Sequence, residues 1–375
     1  MHRYFLLLSA VAILVIFSAG CDKSPSEPDD IDTELRFKIA QMLIVGFRGT
    51  ELADTNHIVA DVTERHIGGV ILYEYDSPSS SRPRNIQSPT QLSALVSALH
   101  ALDTIPLFVA IDQEGGFISR LKESYGFPPS VSAKHLGDVN NADTTRYWAA
   151  LCASTLDEMG INLNFAPVVD LNINPTSPAI GRWERSFSAD PDIVTPNASI
   201  VVAEHNSKGI LTAIKHFPGH GSSEDDTHWG MADVTDSWSD IELEPYSRLI
   251  AGGFTDMIMT AHISNTNLDP AYPATLSEAI IGGILRDSLG WEGVVVSDDM
   301  MMGAIEEFFG LEEALELAVN AGVDMIIFSN NSGNYISNIA PSAIAIIENL
   351  VEDGRIPRSR IEEAYARIAQ LKGRL

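Results

Sequence analysis

A chain of 375 residues that is 45% apolar, with 5 Trp and 14 Phe, is long enough to bury a substantial core. Its formal charge of −27 excludes nucleic acid as a partner, because phosphate recognition needs a basic surface and this field repels polyanions. Such acidity belongs to a solvated face, or to a salty milieu where screening relieves self-repulsion, and says little about a neutral ligand.

The first 20 residues read as a signal peptide. His2 and Arg3 form a short basic end, an apolar run extends from Tyr4 to Phe17, and Ser18, Ala19 and Gly20 are small residues before Cys21. The run is too short and wrongly flanked for a permanent membrane span. A cysteine placed directly after small residues resembles the lipobox of bacterial lipoproteins, in which it is lipidated and becomes the mature N-terminus. Ser18 departs from the Leu usual at that place, and cleavage as an ordinary secretory signal is the alternative. Residues 21–35, including DKSPSEPDD, have the polar, Pro-containing composition of a tether, so the protein is expected to be exported and held to the cell envelope only by lipid on Cys21. With Cys152 as the sole other cysteine, a disulfide framework is excluded, and its apolar surroundings suggest a buried, inert thiol.

From about residue 36, eight short apolar runs alternate with helical patterns: 42–47, 68–74, 107–112, 161–170, 210–217, 257–263, 293–299 and 323–330. Near-continuous apolar character marks parallel strands covered on both faces. Segments 90–102 and 277–290 have helical periodicity, with start signals at Pro89-Thr90 and Ser277. A repeating βα pattern with eight strands predicts an α/β fold, a (β/α)8 TIM-type barrel over residues 36–375, with an open doubly wound sheet as the alternative. The runs end in Asp112, Asp170, Lys215-His216, His262 and Asp298-Asp299. In a parallel barrel these ends share one face, so residues distant in sequence converge on one mouth.

Three motifs concentrate the chemistry. In DQEGGFISR (112–120), Gly115 and Gly116 permit a tight turn, and Asp112, Glu114 and Arg120 offer hydrogen bonds to a polyol. In KHFPGHGSSEDDTHWG (215–230), Lys215 and His216 stand at a strand end, and a loop follows. Asp226, two residues before His228, is placed to fix that imidazole's tautomer and raise its basicity, which suits a general acid/base. A metal site is disfavoured there, because the Lys215 ammonium opposes a cation and no HExxH-like spacing occurs. In VVVSDDMMMGA (294–304), strand alternation points one of two acids into the mouth. Asp298 there suits attack on an anomeric carbon, leaving Asp299 or Ser297 to serve structure and the methionines to pack.

Together these segments resemble glycoside hydrolase family 3, and within it the single-domain bacterial β-N-acetylhexosaminidases of the NagZ type, from about residue 36 to 375. The anchors are DQEGG, NFAPVVD, the RSF triplet at 185–187, KHFPGHG with its downstream D-T-H, and SDD. The resemblance implies Asp298 as nucleophile, His228 with Asp226 as the acid/base dyad, and Asp112, Arg120, Arg185, Lys215 and His216 as substrate-binding groups. It implies retaining hydrolysis of terminal GlcNAc from peptidoglycan- or chitin-derived glycans or muropeptides, with no metal and no cofactor. About 45 residues follow the last predicted strand, too few for the second α/β domain on which two-domain β-glucosidases carry their acid/base. A histidine base also leaves phosphate open as an acceptor in place of water. Phe117 stands where the family usually has Arg, and Trp183 and Trp229 are further departures that bear on the choice of substrate. A β-glycosidase of other sugar specificity and an inert glycan-binding lipoprotein are the alternatives.

Overall fold

The structure is a computed structural model that describes residues 32–227 and 230–375. The expected signal peptide, Cys21 and most of the tether lie outside the described residues, as do His228 and Trp229. The chain divides into the units Met1–Asp32 and Thr33–Leu375, and the second contains the fold. It begins with a helix, Thr33–Gln41, that takes up the last residues of the expected tether because Leu35 and Ile39 are buried in the core.

Eight parallel strands close into a barrel: β1 Leu43–Gly46, β2 Gly69–Leu72, β3 Phe108–Ile111, β4 Leu163–Asn164, β5 Leu211–Phe217, β6 Met257–Thr260, β7 Val294–Asp299 and β8 Met325–Phe328. Each falls inside one of the apolar runs, and the strand order is sequential around the ring, with β8 returning to β1. The open-sheet alternative is therefore excluded. Gly46 permits that closure, since a Cβ there would lie 1.7 Å from the Ser329 carbonyl oxygen just past β8. Buried helices surround the barrel. Pro89–His100 starts on Ser88, whose Oγ accepts the Gln91 N–H at 3.3 Å, and Ser277 Oγ accepts the Ile280 N–H at 3.1 Å ahead of Ala279–Ser288.

At β4 and β6 the chain leaves the ladder while its apolar run continues. Regular pairing of β4 stops at Asn164, because Pro167 has no amide to donate and the chain turns toward β5, where Val169 N–H donates to the Lys215 carbonyl at 2.9 Å. The chain after β6 leaves the barrel, and Ile263–Ser264 pairs instead with Ala232–Asp233 in a separate two-stranded ribbon. Cys152 lies half-buried on the helix Ala142–Met159, and burial pushes its thiol up to about 12, so the inert reading stands.

At the opposite end from the mouth, Asp324 is fully buried just before β8. Its carboxylate accepts from Arg286 at 2.7 Å, Arg360 at 2.6 Å, Arg367 at 3.1 Å and the Val295 N–H at 2.9 Å. Three crowded guanidiniums share this one anion. Asp324→Ala is expected to destabilise the fold by about 3–5 kcal/mol, because it leaves buried cations unpaired. Urea unfolding monitored by far-UV circular dichroism measures this, and a loss below 1 kcal/mol would show the cluster to be solvated.

Candidate active site

The mouth is organised by charges that alternate in sign. Lys215, at the end of β5 and 2% exposed, places Nζ 2.7 Å from Asp112 Oδ1 and 2.8 Å from Glu114 Oε1. Arg185 then clasps Glu114 with two bonds, Nε to Oε2 at 2.8 Å and Nη2 to Oε1 at 2.7 Å. Arg120 closes the other end, Nη2 lying 3.7 Å from Asp112 Oδ2. Every buried charge in the line has a neighbour of opposite sign, which offsets its desolvation. Burial alone would favour the neutral forms, yet Arg185 and Lys215 hold Glu114 well below the usual carboxylate range. Burial likewise opposes the Lys215 cation, and Asp112 and Glu114 more than offset it, keeping that ammonium above its ordinary value.

The line continues into His216, whose Nε2 lies 3.1 Å from Arg185 Nη2. A guanidinium only donates, so Nε2 is the acceptor and Nδ1 carries the proton. That Nδ1–H donates to Asp170 Oδ2 at 2.7 Å. Asp170 is fully buried and also accepts the backbone N–H groups of His216, at 3.1 Å, and His220, at 2.8 Å. Burial would raise its pKa, but the two histidines and these donors lower it below the ordinary value. The His216 N–H thus turns to a carboxylate rather than to β6, and the β5–β6 register shifts between Ile214 and Phe217.

At the end of β7 the two acids have different surroundings. Asp299 is buried; its Oδ1 accepts the N–H groups of Met301 at 3.2 Å and Ser329 at 2.9 Å, and its Oδ2 accepts the Ser329 hydroxyl. Burial raises its pKa despite these donors. Ser297 Oγ accepts the Ile327 N–H at 3.0 Å. Both residues tie β7 to β8, the structural role that strand alternation predicts. Asp298 is half-buried, with Oδ1 accepting the Asp299 N–H at 2.8 Å.

The loop after β5 crosses the mouth toward β7. Gly221 passes so close to the preceding loop that a Cβ would lie 1.6 Å from the Leu171 carbonyl oxygen. Its own carbonyl accepts the Asn174 N–H at 3.0 Å, and Asn174 Nδ2 donates to Ser223 O at 3.0 Å. Further on, the Thr227 carbonyl accepts the Ala304 N–H at 3.3 Å, which brings half-buried Asp226 to the segment that follows Asp298. His228, its expected partner, lies outside the described residues. Beneath the loop, Glu242 Oε2 accepts the Gly221 N–H at 3.0 Å, and burial pushes that carboxyl up to about 7. His220 is buried and pushed down to about 4, by burial and then by His216, so it is neutral.

The pattern of the glycosyl hydrolase family 3 N-terminal domain matches residues 34–371. The chain belongs to glycoside hydrolase family 3. It is 34% identical over 298 residues to a β-hexosaminidase of Nitrosomonas eutropha, covering 77% of this chain and 80% of that protein. It is 33% identical to β-hexosaminidase A of Pseudoalteromonas piscicida, covering 84% of this chain but only 54% of that relative's length. Among solved structures, a family 3 β-N-acetylglucosaminidase from Paenibacillus sp. str. FPU-7 superposes with a TM-score of 0.81 at 34% identity, covering 91% of this chain and 62% of that one.

In this family 3 chain, Asp112, Arg120, Arg185, Lys215 and His216 converge in one connected array at the mouth, with Asp298 and Asp226 on strand ends and loops of the same face. Glu114 is drawn into the array: its oxygens accept two N–H groups of Arg185 and one of Lys215, so it holds those two cations in place. Arg185 likewise engages four N–H groups within the protein, those to Glu114, to His216 and to the Ala179 carbonyl at 2.9 Å. Asp170 was visible as a strand end, but its role as the post for His216 and His220 was not. Nothing in the sequence marked Glu242.

Glu242 generates a pH prediction. The folded carboxyl, at about 7 against an ordinary 4.5, holds its proton where the unfolded chain has lost it, so stability falls as pH rises from 4.5 to 7 and is flat above. The fall is about 3 kcal/mol at most. Glu242→Gln keeps an acceptor for Gly221 and is expected to flatten this slope. Denaturant midpoints at pH 5 and 8 check it, and an unchanged difference between the two would show that Glu242 does not titrate in this range.

Proposed function

We propose that this chain is an exported, retaining exo-β-N-acetylglucosaminidase that acts through a glycosyl-enzyme on Asp298, with His228 as acid/base. The single observation that carries the reading is the paired array Arg120–Asp112–Lys215–Glu114–Arg185–His216 on the face where β7 delivers Asp298. Lys215 uses two of its three N–H groups on Asp112 and Glu114 and retains one for a sugar hydroxyl. Such fixed donors hold a polyol without reorganising as charge develops at the anomeric carbon.

In the first step the Asp298 carboxylate attacks the anomeric carbon and the glycosidic bond breaks. His228, oriented by Asp226, gives its proton to the departing oxygen. In the second step His228 takes a proton from water, which attacks the same carbon and releases Asp298, so configuration is retained. The names of the family 3 relatives, β-hexosaminidases and a β-N-acetylglucosaminidase, support GlcNAc as the sugar removed. The signal-like residues 1–20 and Cys21 support export and lipid anchoring in the cell envelope. There the enzyme would meet peptidoglycan- or chitin-derived glycans directly.

Asp298→Ala is expected to lower kcat on a GlcNAc chromogen by about 10⁴-fold. A 2-acetamido-sugar trap should label the peptide that contains Asp298. Undiminished hydrolysis by the variant, or a label elsewhere, would remove Asp298 from the mechanism. Running the reaction with and without phosphate identifies the acceptor, with free GlcNAc expected and its 1-phosphate marking a phosphorylase.

A further inference from the structure

Two loops on the mouth face end in exposed aromatic rings that the proposed chemistry does not use. Phe117 tips the turn after β3, where Gly115 N–H donates to the Ile118 carbonyl at 3.0 Å and Ile118 N–H returns to Gly115 at 3.2 Å. Trp183 ends the short helical turn Gly181–Trp183 in the loop after β4. Their side chains are among the most exposed large apolar groups, Phe117 at 61% and Trp183 at 43%, and their ring centroids lie 6.0 Å apart at 70°. The two rings therefore form an open corner with an apolar wall on each side.

The corner is held in place from below. Gly116 sits at φ +57, and a Cβ there would lie 2.6 Å from Ser132 Cβ. The same Ser132 donates its hydroxyl to Glu184 Oε2 at 2.7 Å, and Lys134 N–H donates to the Glu184 carbonyl at 3.2 Å. Both aromatic turns thus rest on one segment. Between them runs the two-bond Glu114–Arg185 pair, three residues before Phe117 and two after Trp183, which makes the corner continuous with the sugar-binding array. Exposed rings fixed by short turns lose little freedom on binding, so contact with a flat apolar face is retained as affinity.

A pyranose ring offers such a face through its axial C–H groups, beside the hydroxyls that the array would take. We propose that Phe117 and Trp183 form the binding surface for the second sugar of the substrate, the ring on the leaving-group side, and that this sugar belongs to a neutral β-linked GlcNAc oligosaccharide. The inference rests on the exo-glycosidase reading, in which the terminal sugar occupies the array and the second one must lie at its rim. Neutrality follows from the corner itself, two apolar rings beside an array whose charges are already paired with one another. Arg182, exposed beside Trp183, is the cation that an anionic aglycone would use instead.

The test compares three substrates: N-acetylglucosaminyl fluoride, which has no second ring, N,N′-diacetylchitobiose, and a GlcNAc-containing muropeptide. Phe117→Ala and Trp183→Ala are each expected to lower kcat/KM on chitobiose about tenfold, mainly through KM, with a change below twofold on the fluoride. Phe117→Tyr and Trp183→Phe should restore most of the loss, and Arg182→Ala should leave chitobiose turnover unchanged. Equal losses on fluoride and chitobiose, or no loss on either, would overturn the proposal. So would a wild-type preference for the muropeptide that Arg182→Ala abolishes. If the wild type hydrolyses none of the three, the glycosidase reading itself fails. Quenching of tryptophan fluorescence by chitobiose, expected in the wild type and lost in Trp183→Ala, reads the corner without turnover.

Discussion

Asp170 is a carboxylate that no solvent reaches, and the mouth of the barrel is arranged around it. Its oxygens take the Nδ1–H and backbone N–H of His216 and the backbone N–H of His220. Left alone in that position an anion would be strongly disfavoured, and burial does push toward protonation. The donors reverse the preference, and in doing so they fix three things together. They set the tautomer of His216, hold the loop after β5 at its first turn, and draw the end of β5 out of register with β6. Protonating or removing Asp170 would release all three, because each depends on the same acceptor.

The fixed tautomer passes along the charge line. With Nδ1–H committed to Asp170, Nε2 must accept, and Arg185 supplies the donor. Arg185 then clasps Glu114, Glu114 shares Lys215 with Asp112, and Asp112 faces Arg120. The arrangement holds several ionised groups in a mostly dry site at modest cost, since no charge is left without a partner. It also separates this site from the chain's overall acidity. The charge of −27 resides elsewhere, largely on solvated surface, while the mouth alternates in sign. For the neutral sugar proposed as its ligand, the array offers preset donors and acceptors and no net repulsion.

Much of this was legible in the sequence, for identifiable reasons. Parallel strands buried on both faces read as continuous apolar runs, which is why all eight were found. The same signal overshot at 161–170 and 257–263, where the chain stays apolar after leaving the ladder, first at Pro167 and then into the side ribbon. Strand alternation separated Asp298 from Asp299, because it is a local rule. The pairing of Glu114 was not legible because its partners, Arg185 and Lys215, are 71 and about 100 residues away, and no local pattern announces them. Glu242 escaped notice for a related reason: its burial is imposed by the turn at Gly221, 21 residues earlier in the same β5–β6 connection, packing over it.

The pairing of Asp298 with Asp299 shows how a fold can hold one carboxylate in a working position by immobilising its neighbour. Asp299 fastens β7 to the start of the loop after β8 through Ser329, and Ser297 fastens the strand from the other side through Ile327. Asp298 lies between these two anchors, and its Oδ1 accepts the N–H of Asp299. Its main-chain freedom is therefore removed by bonds that its own side chain does not have to make. A carboxylate positioned this way stays near one geometry without being buried by the contacts that position it, which is what the nucleophilic role proposed for Asp298 requires. Adjacent acids in a strand can divide these tasks because alternation sends their side chains to opposite sides.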